Sequence, residues 1–165
     1  MKKTIATIIV ILACAGAAFA DDPIEGFWLS VEPKSGQVQS GWEMYVINGT
    51  MYGRMVSAVG CTPTTNAKKC KDSYANFPIP GKVNQLTVLG TPWMFNLKME
   101  SPGRWTNGNI VNPDNGNMYG LSLIHHPADG KKFKEETLEI RGKLGIFSGS
   151  QYWRRATQEE ASALK

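Results

Sequence analysis

Residues 38–59 read VQSGWEMYVINGTMYGRMVSAV, two alternating runs on either side of Asn48-Gly49. Asn-Gly accepts the positive φ that a type I′ turn needs at both central positions, so this dipeptide predicts a two-residue hairpin loop. With Ile47 facing Thr50, the rest of the register follows outward from the turn. One face then sets Trp42 against Met55, Met44 against Gly53 and Val46 against Met51, and is expected to be buried. The other sets Tyr45 against Tyr52 and Glu43 against Arg54, an aromatic pair and an opposite-charge pair of the kind a solvated face uses. Both faces agree with one register, which supports the hairpin.

Similar short runs extend in both directions. Gly26 to Val31 reads as a first strand, turned at Lys34-Ser35-Gly36. Strand patterns resume at Val83 to Leu89 and Pro92 to Met99. Arg104 to Val111 and Met118 to His125 form a second hairpin around Asn112-Pro113-Asp114-Asn115-Gly116, and Leu138 to Leu144 and Ser150 to Arg155 close the series. The stretch Cys61 to Gly81 is loop-like, because Pro63, Pro78 and Pro80 cannot donate to a ladder. No helical pattern is long enough to serve as a parallel crossover. The expected fold is therefore all-β, a single antiparallel up-and-down barrel of about eight strands. Closure removes the exposed edges of the sheet. Thr157-Gln158-Glu159-Glu160 matches a capping box and predicts a short C-terminal helix.

The N-terminus has a different character. Lys2 and Lys3 precede an apolar run from Ile5 to Leu12 and a small-residue stretch ending Ala18-Phe19-Ala20. That run is short for a membrane span and leads into an A-x-A site, so residues 1–20 read as a signal peptide cleaved after Ala20. Residues 21–165 then form one domain without a transmembrane span, and the expected location is the periplasm or the exterior. Ile11-Leu12-Ala13-Cys14 leaves a lipoprotein alternative open, anchored through Cys14. The formal net charge is +4, and two of those charges are Lys2 and Lys3. A charge so small and scattered gives no footprint for nucleic acid. Cys61 and Cys70, in an exported domain, are expected to form a disulfide.

Gly26-Phe27-Trp28 near the start and Trp153-Arg154-Arg155 near the end resemble the calycin group of barrels, the lipocalins and their relatives. There, a G-x-W on the first strand meets an Arg from the last. The resemblance implies a cation–π staple at barrel closure involving Gly26, Trp28, Trp153 and Arg155, with Arg154 the alternative partner. Blocks in order along most of the chain narrow it further: Gly26-Phe27-Trp28-Leu29, Met51-Tyr52-Gly53-Arg54, Gly108-Asn109-Ile110-Val111-Asn112-Pro113, Leu138-Glu139-Ile140-Arg141-Gly142 and Gln151-Tyr152-Trp153. They resemble the bacterial family catalogued as domain of unknown function 2147. The likeness does not extend to Cys61–Gly81, and Gly120 stands where a bulkier residue is usual. The family implies a small exported barrel and carries over no catalytic residue.

No catalytic constellation emerges: there is no nucleophile elbow, Ser-x-x-Lys or phosphate-cradling Gly loop. An enzyme is not expected, nor is a cofactor. His125-His126 are adjacent, so on a strand they would point to opposite faces and could not easily share one ion. A surface turn is expected there, and no metal. Asn48-Gly49-Thr50 has the form of a glycosylation acceptor, but the turn accounts for it. Glu135-Glu136 and Glu159-Glu160 read as solvated faces.

What remains is the interior, which in an eight-stranded barrel is either filled by side chains or just wide enough for one small ligand. Trp42, Met44 and Met55, joined by Trp93 and Phe95, are the candidate ligand-lining residues. Two functions follow: a module binding a small apolar or amphipathic ligand, or a solidly packed barrel that engages an envelope protein through its surface, with Tyr74 and Phe77 in the Cys61–Gly81 loop as the place to look.

Overall fold

The computed structural model describes residues 21–145 and 147–165. The expected signal peptide, residues 1–20, and with it Cys14, lies outside the described residues. Eight strands run in chain order: β1 (Gly26–Val31), β2 (Val38–Ile47), β3 (Thr50–Ala58), β4 (Met94–Ser101), β5 (Arg104–Val111), β6 (Met118–His126), β7 (Thr137–Leu144) and β8 (Phe147–Ala156). Each pairs antiparallel with its sequence neighbour, and β8 returns to β1 to close an up-and-down barrel. A short helix, α1 (Gln158–Ser162), follows, with Thr157 and Glu160 forming a complete capping box. None of the described helices is long and apolar enough to cross a membrane.

The β2–β3 hairpin has the expected register, from Ile47 opposite Thr50 to Trp42 opposite Met55. Asn48 and Gly49 take φ of 50° and 72°, the type I′ geometry that this dipeptide favours. Trp42, Met44, Met51 and Met55 are buried, whereas Tyr45 and Tyr52 stack outside at 5.8 Å and Arg54 reaches Glu43 at 2.7 Å.

Val83 to Leu89 is not a strand. Val83–Gln85 is a single 3-10 turn, and the residues after it hydrogen-bond to the preceding loop, Ala67 N–H donating to the Leu86 carbonyl and Val88 N–H to that of Thr65. Val83 and Val88 are apolar because this long connection between β3 and β4 packs onto the barrel.

The two ends of the barrel differ. At one, the segment 22–25 crosses the opening: Ile24 is fully buried, Trp28 Nε1 donates to its carbonyl at 2.8 Å, and Asp22 accepts from the Gly103 N–H in the β4–β5 turn at 2.9 Å. Beneath this plug the interior is filled by Met44, Met51, Met94, Leu97, Trp105 and Leu123, each at most 1% exposed. The other end, where the β1–β2 and β5–β6 loops and the β3–β4 connection meet, stays open.

Outside the barrel, α1 docks on β1, β2 and β3 through Ala161, Leu29 and Ala156. Gly41 is required there, because a Cβ on it would stand 1.8 Å from the Ala161 carbonyl oxygen.

Candidate functional site: an open cavity in the barrel

A cavity of about 920 Å³ occupies the open half of the barrel. Its walls are Trp42 and Met55 from the β2–β3 hairpin, Val111 from β5, Ile140 from β7 and Trp153 from β8, with Val88 from the β3–β4 connection. Trp42 and Trp153 lie against one another, ring centres 5.2 Å apart and tilted by 36°. Both indole N–H groups are satisfied within the wall. Trp42 donates to Ser40 Oγ at 2.8 Å, which in turn meets Ser30 Oγ at 2.7 Å, and Trp153 donates to Gln151 Oε1 at 3.1 Å. The rings therefore offer apolar faces. The rim is polar, with Glu32, Gln39, Asn112, Asp114 and Tyr119.

Of the five candidate lining residues, the structure brings Trp42 and Met55 to the cavity. Met44 points inward but belongs to the packed half, 1% exposed. Trp93 and Phe95 are elsewhere. Asn96, at φ 61°, marks a bulge in β4 that sets two residues against one of β3, between the Met51–Leu97 and Gly53–Met94 pairs. Met94 takes the inner face near Met44 and Gly53, so its neighbour Phe95 turns to the other side. There Phe77 covers it edge-on at 5.2 Å and also meets Trp93 at 5.9 Å.

The Cys61–Gly81 loop thus uses its aromatic groups internally. Besides Phe77, Tyr74 donates to the Gly116 carbonyl at 2.7 Å and accepts from the Lys71 N–H. The expected disulfide is not formed: Cys61 and Cys70 are free thiols. Each is held by its own turn, the Cys61 N–H on the Ala58 carbonyl and the Cys70 N–H on that of Ala67. Cys61 lines the cavity, while Cys70 is buried beside the Tyr74 hydroxyl. Burial, and then the Asp114 charge, push both thiols above their ordinary range.

Arg155 is the residue on Trp28, its guanidinium carbon 3.9 Å from the ring centre and its backbone opposite Trp28 in the β1–β8 register. It also donates to the carbonyls of Glu25 and Pro23 and pairs with Glu136 at 2.6 Å. Trp153 takes no part in this staple, since it faces the cavity.

His125 and His126 close β6 rather than forming a surface turn, and Glu136 is no solvated bystander. His125 Nε2 is 2.8 Å from Glu136 Oε1, and His126 Nε2 is 2.8 Å from Glu139 Oε2 on the opposite face. Glu139 is 3% exposed and accepts further from Arg141 Nε and Ser150 Oγ. Burial alone would raise its carboxyl pKa, but the donors from Arg141, His126 and Ser150 prevail and lower it to about 2. The Arg155 hydrogen bond likewise holds Glu136 below the usual carboxylate range. Among the described residues, no group of His, Cys, Asp and Glu is placed to hold a metal.

Residues 26–155 match the model of a family described as uncharacterized protein conserved in bacteria, DUF2147. The chain belongs to that family. No curated protein is found similar to this DUF2147 member. A solved structure described as protein HP1028 from the human pathogen Helicobacter pylori, belonging to the lipocalin family, is similar at a TM-score of 0.61 and 19% identity. The similarity covers 83% of this chain and 85% of that one, and it is a likeness of fold.

Proposed function

We propose that this DUF2147 barrel is an exported binding protein that holds one small molecule with an apolar body in its open half. The observation that carries this reading is the cavity of about 920 Å³ above a packed floor. A ligand pocket typically has roughly 300–1,000 Å³ and a mostly apolar lining with a few polar groups. Trp42, Met55, Val111, Ile140 and Trp153 supply such a lining. Met side chains, flexible and polarisable, adapt to irregular partners. The family likeness and the lipocalin-type fold support the same reading, and the leader at residues 1–20 supports a site of action outside the cytoplasm.

Trp42 and Trp153 are the natural reporters. The protein purified without detergent from its own host is expected to carry a small molecule visible by native mass spectrometry. After its removal, apolar probes should change the tryptophan emission. A protein that arrives empty and whose emission no apolar or amphipathic probe alters would end this reading.

A further inference from the structure

We infer that the ligand is a long-chain cation, an amine or quaternary ammonium with an apolar tail, held head outward between Glu32 and Asp114; this rests on the reading of the cavity as a binding site. Among the described residues, those lining the cavity include these two carboxylates and no Lys, Arg or His. Without Lys2 and Lys3 the net charge of +4 falls to 4 − 2 = +2 for residues 21–165, so an acidic mouth still runs against its background.

The two carboxylates come from opposite sides. Glu32 follows β1 and Asp114 follows β5, four strands away around a ring of eight. A head group at the mouth lies between them. Neither takes part in an ion pair among the described residues. Glu32 is held by its own turn, its Oε2 accepting from the N–H of Lys34 at 3.0 Å and from that of Ser35. Hydrogen bonding from the Ser35 side chain first, and then from the Ser35 and Lys34 N–H groups, also holds its carboxyl below the usual range.

Below the mouth, Trp42 and Trp153 have already committed their N–H donors to Ser40 and Gln151. They present apolar ring faces to the tail. A fatty carboxylate entering this cavity would meet two like charges and no cationic side chain among the described lining residues, whereas an ammonium head finds an opposite charge on each side.

Dodecylammonium, dodecanoate and dodecanol, each below its micelle-forming concentration, are to be titrated into the folded protein at neutral pH and low salt, with tryptophan emission as the readout. The ammonium is expected to bind on the order of tenfold tighter than the carboxylate, and added salt should shrink that preference. Asp114 is exposed and its side chain makes no ion pair, so Asp114→Asn and Asp114→Lys should fold normally. The first should reduce the preference several-fold and the second should reverse it. Carboxylate binding as tight as ammonium, with dodecanol also bound, overturns the charge inference and leaves the binding cavity standing. An ammonium preference untouched by Asp114→Asn and Glu32→Gln overturns it as well, because the cation then sits elsewhere. Failure of all three probes removes the binding reading and this inference together.

Discussion

The guanidinium of Arg155 stacks on the indole of Trp28 with 3.9 Å between its central carbon and the ring centre, across the seam where the last strand meets the first. The same group ties down the 22–25 plug through the Pro23 and Glu25 carbonyls, and pairs with Glu136. Gly26 makes room for it, since a Cβ there would lie 3.2 Å from Arg155 Nη1.

Arg155→Ala should therefore cost about 3 kcal/mol, from a cation–π contact worth roughly 0.5–2 and charge-assisted hydrogen bonds lost at the plug. Arg155→Lys keeps the charge and loses the planar fork, so it should recover less than half of that. Urea unfolding monitored by tryptophan emission measures both. A lysine variant as stable as the parent would mean that charge alone, without the fork geometry, holds the seam.

Gly41 and Ser57 act on one partner, the Ala161 carbonyl of α1. Ser57 Oγ donates to that oxygen, and a Cβ on Gly41 would collide with it. Gly41→Ala is expected to lift α1 from the barrel wall, cost about 2 kcal/mol and expose the C-terminal tail to proteases. Once α1 is lifted, Ser57 has nothing left to bind, so adding Ser57→Ala should cost little more. Additive effects in the double variant would show that the helix stays docked.

The hairpin was legible because its information is local. Asn48-Gly49 dictates the turn, and two-residue alternation then assigns every partner from Ile47 to Trp42. Closure at Trp28 was legible through resemblance, and strand register decided for Arg155 over Arg154. The face of Phe95 was not legible, because the bulge at Asn96 resets the alternation of β4 and only a tolerance of Asn for positive φ hints at it. The pairing of His125 with Glu136 joins a strand end to the far side of a loop, which no local pattern encodes. The cavity is the volume left between packed side chains from several strands and a long connection. It is a property of the whole barrel and has no sequence signature of its own.

Acid should weaken the fold through Glu139. Its carboxyl is lowered from 4.5 to about 2 by hydrogen bonds from Arg141, His126 and Ser150 that outweigh its burial. A depressed folded-state pKa stabilises above the unfolded value, and that stabilisation is lost as pH falls through the folded one. The loss, about 3 kcal/mol, should fall between pH 4.5 and about 2, and Glu136 adds to it in the same direction. Glu139→Gln should be less stable at neutral pH and show a flatter profile across that window. Parallel profiles for parent and variant, followed by urea unfolding at successive pH values, would place the acid sensitivity elsewhere.

Met44 and Met55 both face inward on neighbouring strands, yet they should respond differently to truncation. Met44 is 1% exposed in the packed half, close to the Met94 and Gly53 positions, whereas Met55 borders the cavity. Met44→Ala opens a void where neighbours cannot collapse, at a cost of about 3 kcal/mol. Met55→Ala enlarges a space that already exists, so fewer dispersion contacts are lost and the cost should be about 1 kcal/mol. Binding should divide the other way. An apolar probe that reports through Trp42 should bind several-fold more weakly to the Met55 variant, because the contact it loses is one with the ligand. The folded Met44 variant should bind as the parent does. Urea unfolding and fluorescence titration on the same two variants give both numbers, and a Met44 variant that loses probe affinity while the Met55 variant keeps it would move the binding site below the floor assigned to the cavity.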